Sequence, residues 1–156
     1  LVGKELQLTL QTENVGDSAF TLSQALHTYF RIGDVQRVSV QGLEDRYYRD
    51  KADQWAEKQQ QGPVTIGDEV DRVYLNVQPE LLIDDPGLAR KIRIDSTGSR
   101  TAVVWNPWRT VTKAMADLED DDYQRFVCVE TTNTADDCID MPSGSQHRLS
   151  ARYRLC

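Results

Sequence analysis

Alternation of apolar and polar positions dominates this chain. Leu6, Leu8 and Leu10 fall on one side of a period-2 pattern, and Glu5, Gln7, Thr9 and Gln11 fall on the other. That predicts a first strand with one buried face. Asn14-Val15-Gly16-Asp17-Ser18 reads as a turn, followed by strands over 19–30 and 35–40 and a short extended segment at Tyr47 and Tyr48. Residues 50–62 are polar, run into Gly62-Pro63, and read as a long surface loop. Short extended pieces are predicted over 64–66, 70–77 and 80–84, then a turn at Asp84-Asp85-Pro86-Gly87. Residues 91–95 alternate again, with Ser96-Thr97-Gly98-Ser99 closing them as a hairpin, and 102–105 read as a buried strand.

One segment changes period. Trp108, Val111, Met115 and Leu118 recur at three- and four-residue intervals, which predicts a short helix over 108–118. The run Glu119-Asp120-Asp121-Asp122 ends it, and strands over 125–132 and 146–155 complete the chain. Many antiparallel strands with short turns predict an all-β, mainly antiparallel β-sandwich with one short helix, in a single domain over 1–156.

Composition narrows the function classes. A net charge of −7 and a pI near 4.8 argue against nucleic-acid binding, which needs clustered Lys and Arg. No apolar run approaches the roughly 20 residues of a membrane span. The first residues, Leu1-Val2-Gly3-Lys4, carry no signal-peptide pattern and no initiator Met, and read as a cut end. The cysteines, Cys128, Cys138 and Cys156, are odd in number and irregularly spaced. They show no zinc spacing and point to a reducing, cytoplasmic compartment, with Cys128 a small buried hydrophobe.

Two residues break otherwise apolar strands. Glu130 follows Phe126-Val127-Cys128-Val129, and His27 sits in Ala25-Leu26-His27-Thr28-Tyr29-Phe30. A carboxylate at such a place is either a surface or ion-paired residue, or a base whose pKa is raised by burial. His27 is either a structural hydrogen-bonding residue or a proton donor, since histidine exchanges its proton around neutral pH. Asp71, in Val70-Asp71-Arg72-Val73-Tyr74, either pairs locally with Arg72 or accepts hydrogen bonds from sugar hydroxyls. Trp105 and Trp108, in Trp105-Asn106-Pro107-Trp108, either close the core or line a mouth where a sugar ring stacks. The acidic run 119–122 lacks a calcium-loop pattern and reads as a solvated turn. His147 reads as a surface residue. The chain contains no Gly-rich phosphate loop and no Gly-x-Ser-x-Gly elbow.

In chain order, the His-Thr-Tyr-Phe, Asp-Arg-Val-Tyr, Val-Val-Trp-Asn-Pro-Trp, Met-Ala-Asp-Leu and Cys-Val-Glu segments resemble the hexose-6-phosphate mutarotases (glucose-6-phosphate 1-epimerases) of the aldose 1-epimerase superfamily. The resemblance covers nearly the whole chain. It implies a galactose mutarotase-like supersandwich, with this chain as its C-terminal portion and the N-terminal half absent. It implies that His27 is the general acid at the ring oxygen, that Glu130 is the base at the anomeric hydroxyl, and that Asp71 binds substrate, with Trp105 and Trp108 shaping the sugar site and Arg72 a further candidate. No metal or organic cofactor is expected. The partners implied are a hexose 6-phosphate and the missing half, which would carry the phosphate grip. The alternatives are a non-catalytic carbohydrate-binding β-sandwich and a purely structural one. Convergence of His27 and Glu130 on one cleft separates catalysis from the structural reading.

Overall fold

The computed structural model describes residues 4–156. The reading of residues 1–3 as a cut end and the start of the alternating pattern lies outside the described residues. The first half forms β1 (Glu5–Glu13), β2 (Phe20–Leu22), β3 (Gln24–Leu26), β4 (Tyr29–Arg31) and β5 (Ser39–Gln41). Next come β6 (Tyr47–Asp50), β7 (Ala56–Gln59), β8 (Val64–Thr65) and β9 (Val70–Tyr74). β10 (Glu80–Asp85), β11 (Arg90–Thr97) and β12 (Thr101–Asn106) lead to the helix α1 (Trp108–Ala114). β13 (Phe126–Asn133), β14 (Ile139–Met141) and β15 (Gln146–Leu155) follow.

These strands stack as two antiparallel sheets, the expected β-sandwich. One sheet runs β1-β15-β11-β10-β5-β8; the other runs β3-β13-β12-β9-β6-β7, with β4 also on β13. β2 and β14 form a small ribbon. Val40, Ile83, Ile94 and Tyr153 from the first sheet meet Phe30, Tyr74, Val104, Val127 and Val129 from the second in one core. β13 lies between β12 and the edge pieces β3 and β4, and every one of its residues is buried. A strand covered on both faces reads as a continuous apolar run, which is why Glu130 stands out in it.

The predicted strand over 19–30 divides into three. β3 pairs with Thr131–Asn133 and β4 with Phe126–Cys128, leaving His27 and Thr28 between them off the ladder. Thr28 shares a hydrogen bond of 2.7 Å with Tyr153 on the core side. The predicted strand over 35–40 is mostly a turn closed by Arg37 and Val38 N–H groups on the Asp34 carbonyl, and only 39–41 is extended.

Residues 50–62 are not a long loop. β6 and β7 form a hairpin around a 3-10 turn at Lys51–Asp53. Its polar residues have partners: the buried Gln60 accepts hydrogen bonds from Tyr74 Oη (2.7 Å) and Arg72 Nη1 (3.1 Å). Residues 96–99 are not a hairpin turn either, because β11 pairs with β10 and β15 while β12 lies in the other sheet. Gly98 makes this crossing at φ +77°, with the Arg148 carbonyl where a Cβ would stand, and only glycine fits both demands. The helix stops at Ala114, four residues short of the prediction, with Met115 already extended. Asp117 and the acidic run beyond it would have lain at the negative end of a longer helix.

Leu6, Leu8 and Leu10 are a further correction. β1 is an edge strand, and these leucines remain 36–38% exposed rather than buried. The alternation marks one face correctly, but no described element covers it.

Candidate active site

The register of the second sheet gathers the candidate chemistry on the face turned away from the core. Trp105 lies opposite both Cys128 and Asp71, and Val103 opposite both Glu130 and Val73. Directly opposed residues share a face, so Asp71, Trp105, Cys128 and Glu130 project together. Tyr29 joins them opposite Cys128. Thr28 turns to the core, and His27, the other residue of that break, reaches this outer face.

His27 and Glu130 converge: Nε2 lies 3.3 Å from Oε1, with the His27 side chain 47% exposed and that of Glu130 only 8%. The burial of Glu130 pushes its carboxyl up to about 7, and nearby Asp71 adds to the rise while Lys51 opposes it. A carboxylate so placed is half-ionised near neutral pH, as a general base needs to be.

An aromatic wall surrounds the pair. His27 stacks on Tyr29 with ring centroids 5.0 Å apart, and Trp105 meets both rings edge-on at 5.8 and 6.0 Å. Phe126 packs against Tyr29 and Trp105 from the side. The half-exposed Tyr29 supplies apolar ring surface beside the acid–base pair. Neither Tyr29 nor Phe126 stood out in the sequence, where aromatic residues on strands look like core. Lys51 was equally hidden in a polar stretch, yet its Nζ is 2.7 Å from Asp71 Oδ2. Cys128, beneath the wall, is fully buried, and burial first, then Glu130, push its thiol up.

Trp108 and Arg72 go elsewhere. Trp108 starts α1 at φ +53°, packs on Tyr123 and leans against the core. Asn106 fixes that corner: its Oδ1 accepts from Trp108 N, and its Nδ2 donates to the carbonyls of Tyr123 and Phe126. Arg72 turns to the core side, over the Tyr48 ring and onto Gln60. His147 is a brace, with Nε2 at 3.1 Å from both the Gly98 carbonyl and Asn133 Oδ1.

A cavity of about 450 Å³ lies at the Trp108 corner, lined by Asp34, Gln36, Arg109 and Arg125 among others. It does not contain the acid–base pair. A converging pair with a perturbed ionisation marks a candidate site in its own right, and the His27–Glu130 face is open rather than enclosed. Among the described residues, no three His, Cys, Asp or Glu side chains form a group able to hold a metal ion. No helix among them is long and apolar enough to cross a membrane.

Comparison with known proteins identifies the family of the chain. The sequence model of the aldose 1-epimerase family matches residues 1–154. A protein of Escherichia coli (strain K12) named "Putative glucose-6-phosphate 1-epimerase" is 39% identical over 130 residues, covering 83% of this chain and 43% of that protein. A protein of the same name from Cenchrus ciliaris is 35% identical over 129 residues, or 81% of this chain and 39% of its own length. The crystal structure of a "putative mutarotase (YeaD)" from Salmonella typhimurium superimposes with a TM-score of 0.88 at 34% identity, covering 99% of this chain and 51% of that one. The chain thus spans about half the length of the relatives it matches or less.

Proposed function

The chain belongs to the aldose 1-epimerase family, and from that premise we propose that it carries the acid–base machinery of an enzyme interconverting the α and β anomers of hexose 6-phosphates. The observation that carries this reading is the 3.3 Å approach of His27 Nε2 to Glu130 Oε1 on an open, aromatic-lined face. With a sugar seated over the pair, Glu130 takes the proton of the anomeric hydroxyl while protonated His27 gives one to the ring oxygen. The C1–ring-oxygen bond breaks and a carbonyl forms at C1. Rotation of the aldehyde and reclosure yield the other anomer, and each proton returns to its donor. These are proton transfers within the reach of two side chains, and they call for no metal or cofactor. Asp71 accepts from sugar hydroxyls, and Tyr29 and Trp105 offer ring surface. The preference for a 6-phosphate is supported by the names of the relatives. The free thiols of Cys128, Cys138 and Cys156 support a cytoplasmic setting.

In this reading the chain is the C-terminal portion of a longer protein, and the N-terminal half supplies the phosphate grip, in keeping with the net charge of −7 on this portion. The uncovered leucines of β1 and its free edge are where that half would join, since such an edge is a template for pairing. Leu8→Glu is therefore expected to change the stability of the isolated chain by no more than about 0.5 kcal/mol, yet to abolish co-purification with the N-terminal half. Retained assembly would exclude β1 as the junction.

The activity test is NMR exchange between the anomers of glucose 6-phosphate, with the chain alone and with the chain joined to the N-terminal half. Catalysed exchange in the joined form is expected. Binding of the sugar phosphate without any acceleration would instead favour a carbohydrate-binding module, the role to which the half-exposed Tyr29 ring is also suited.

A further inference from the structure

We propose that Lys51 is a positioning residue of this site, holding Asp71 toward the substrate and keeping a positive charge beside Glu130 on a crowded acidic face. This inference rests on the anomer-exchange reading. It begins with an anomaly in the turn after β6. Gln54 and Trp55 both adopt left-handed backbone conformations, at φ +51° and +65°. A bulky tryptophan there is an outlier that persists only where its surroundings impose it.

Those surroundings are specific. Trp55 N–H donates to the Asp50 carbonyl at 2.8 Å. Lys58 Nζ bridges Asp50 (2.8 Å) and Asp53 (2.7 Å), closing the turn from its far side. The product of this bracing is the placement of one side chain. Lys51 Nζ lies 2.7 Å from Asp71 Oδ2 and 5.7 Å from the centre of the Trp55 ring, which is itself 56% exposed. Lys51 is the one close partner of Asp71 among the described residues.

The electrostatics give this placement a purpose. The charged and titratable groups facing Glu130 are His27 from the β3–β4 break, Tyr29 on β4, Asp71 on β9, Cys128 on β13 itself and Lys51 on the turn. Arg49 on β6 is already paired with Asp136 at 2.9 Å. Asp71 pushes the Glu130 carboxyl upward and Lys51 pulls it down. Glu69, near Asp71, is also pushed up, by burial first and then by its acidic neighbours. Without Lys51, the negative charge of Asp71 acts on Glu130 unopposed, and the Asp71 carboxylate is free to turn away.

Lys51→Met keeps a flexible side chain of similar length and removes the charge that lies over the Trp55 ring. In the form of the protein that shows anomer exchange, it is expected to lower kcat/KM for glucose 6-phosphate about 10-fold or more. It is also expected to move the acidic limb of the pH–rate profile upward by about 0.5 to 1 pH unit, because the base then holds its proton more tightly. Lys51→Arg, which restores the charge, should return the limb toward its wild-type position. Carbon-13 NMR titration of the Glu130 carboxyl in the same variants reads that shift without turnover. A lowered rate with an unmoved limb and an unmoved Glu130 titration would overturn the proposal, leaving Lys51 a prop for the turn. Absence of exchange in the wild type would instead overturn the functional reading, and the carboxyl titration alone would then decide the Lys51 contact.

Discussion

Glu130→Gln is expected to lower catalysed anomer exchange by about 10² to 10⁴-fold, the range that a positioned general base contributes. Glutamine preserves the shape and much of the hydrogen bonding but cannot take the anomeric proton. His27→Asn should cause a loss of the same order by removing the proton donor, and the double variant should lose little more than either single one, because the two act as a unit. In the wild type, the rate should fall as pH drops through about 7, where burial has placed the Glu130 ionisation. Polarimetry on freshly dissolved α-glucose 6-phosphate measures all of these. Full exchange activity in both single variants would remove the pair from the mechanism.

The same substitution is expected to make the fold more stable. Glu130 ionises at about 7 in the folded chain against an ordinary value of 4.5. The folded state therefore holds this proton more tightly than the unfolded state does. The associated stability is fully present below pH 4.5 and is lost as pH rises through about 7, the loss amounting to about 3 kcal/mol at pH 8. A glutamine at this position has no charge to bury at any pH. Glu130→Gln should therefore exceed the wild type by about 2 to 3 kcal/mol at pH 8, with the gap closing near pH 5. Urea denaturation at the two pH values reads the difference. Parallel pH dependence of the two proteins would mean that the buried carboxylate carries no such cost.

Much of this site was legible in the sequence because strands have a simple period. Glu130 and His27 stand out as polar residues in apolar runs, and a period of two sends Glu130 and Cys128 to one face. The sandwich itself follows from alternation in β1, β11 and β15. What alternation cannot encode is the partner strand. It marked Leu6, Leu8 and Leu10 as one face without saying what lies against it. It joined residues 96–99 into a hairpin although the chain there passes from one sheet to the other. Lys51 escaped notice because its segment has no period: left-handed turns and a lysine clamp, rather than apolar spacing, build that hairpin. Trp108 has the same composition-level signature as Trp105; the strand register turns Trp105 to the site, while the Asn106 hydrogen bonds fix the corner that packs Trp108 on Tyr123.

Cys128 lies under the aromatic wall with no exposed surface, whereas Cys138 and Cys156 are open to solvent. Its thiol is doubly guarded, sterically by the packing and chemically by a thiolate disfavoured through burial and the neighbouring Glu130. A thiol reagent will therefore modify two cysteines at once and reach the third only when β13 parts from its neighbours. The delay before the third label enters is a clock for the opening of the sheet beneath the proposed site. A bound sugar that presses on Tyr29 and Trp105 should slow that clock, so occupancy can be followed in a variant that no longer turns anything over.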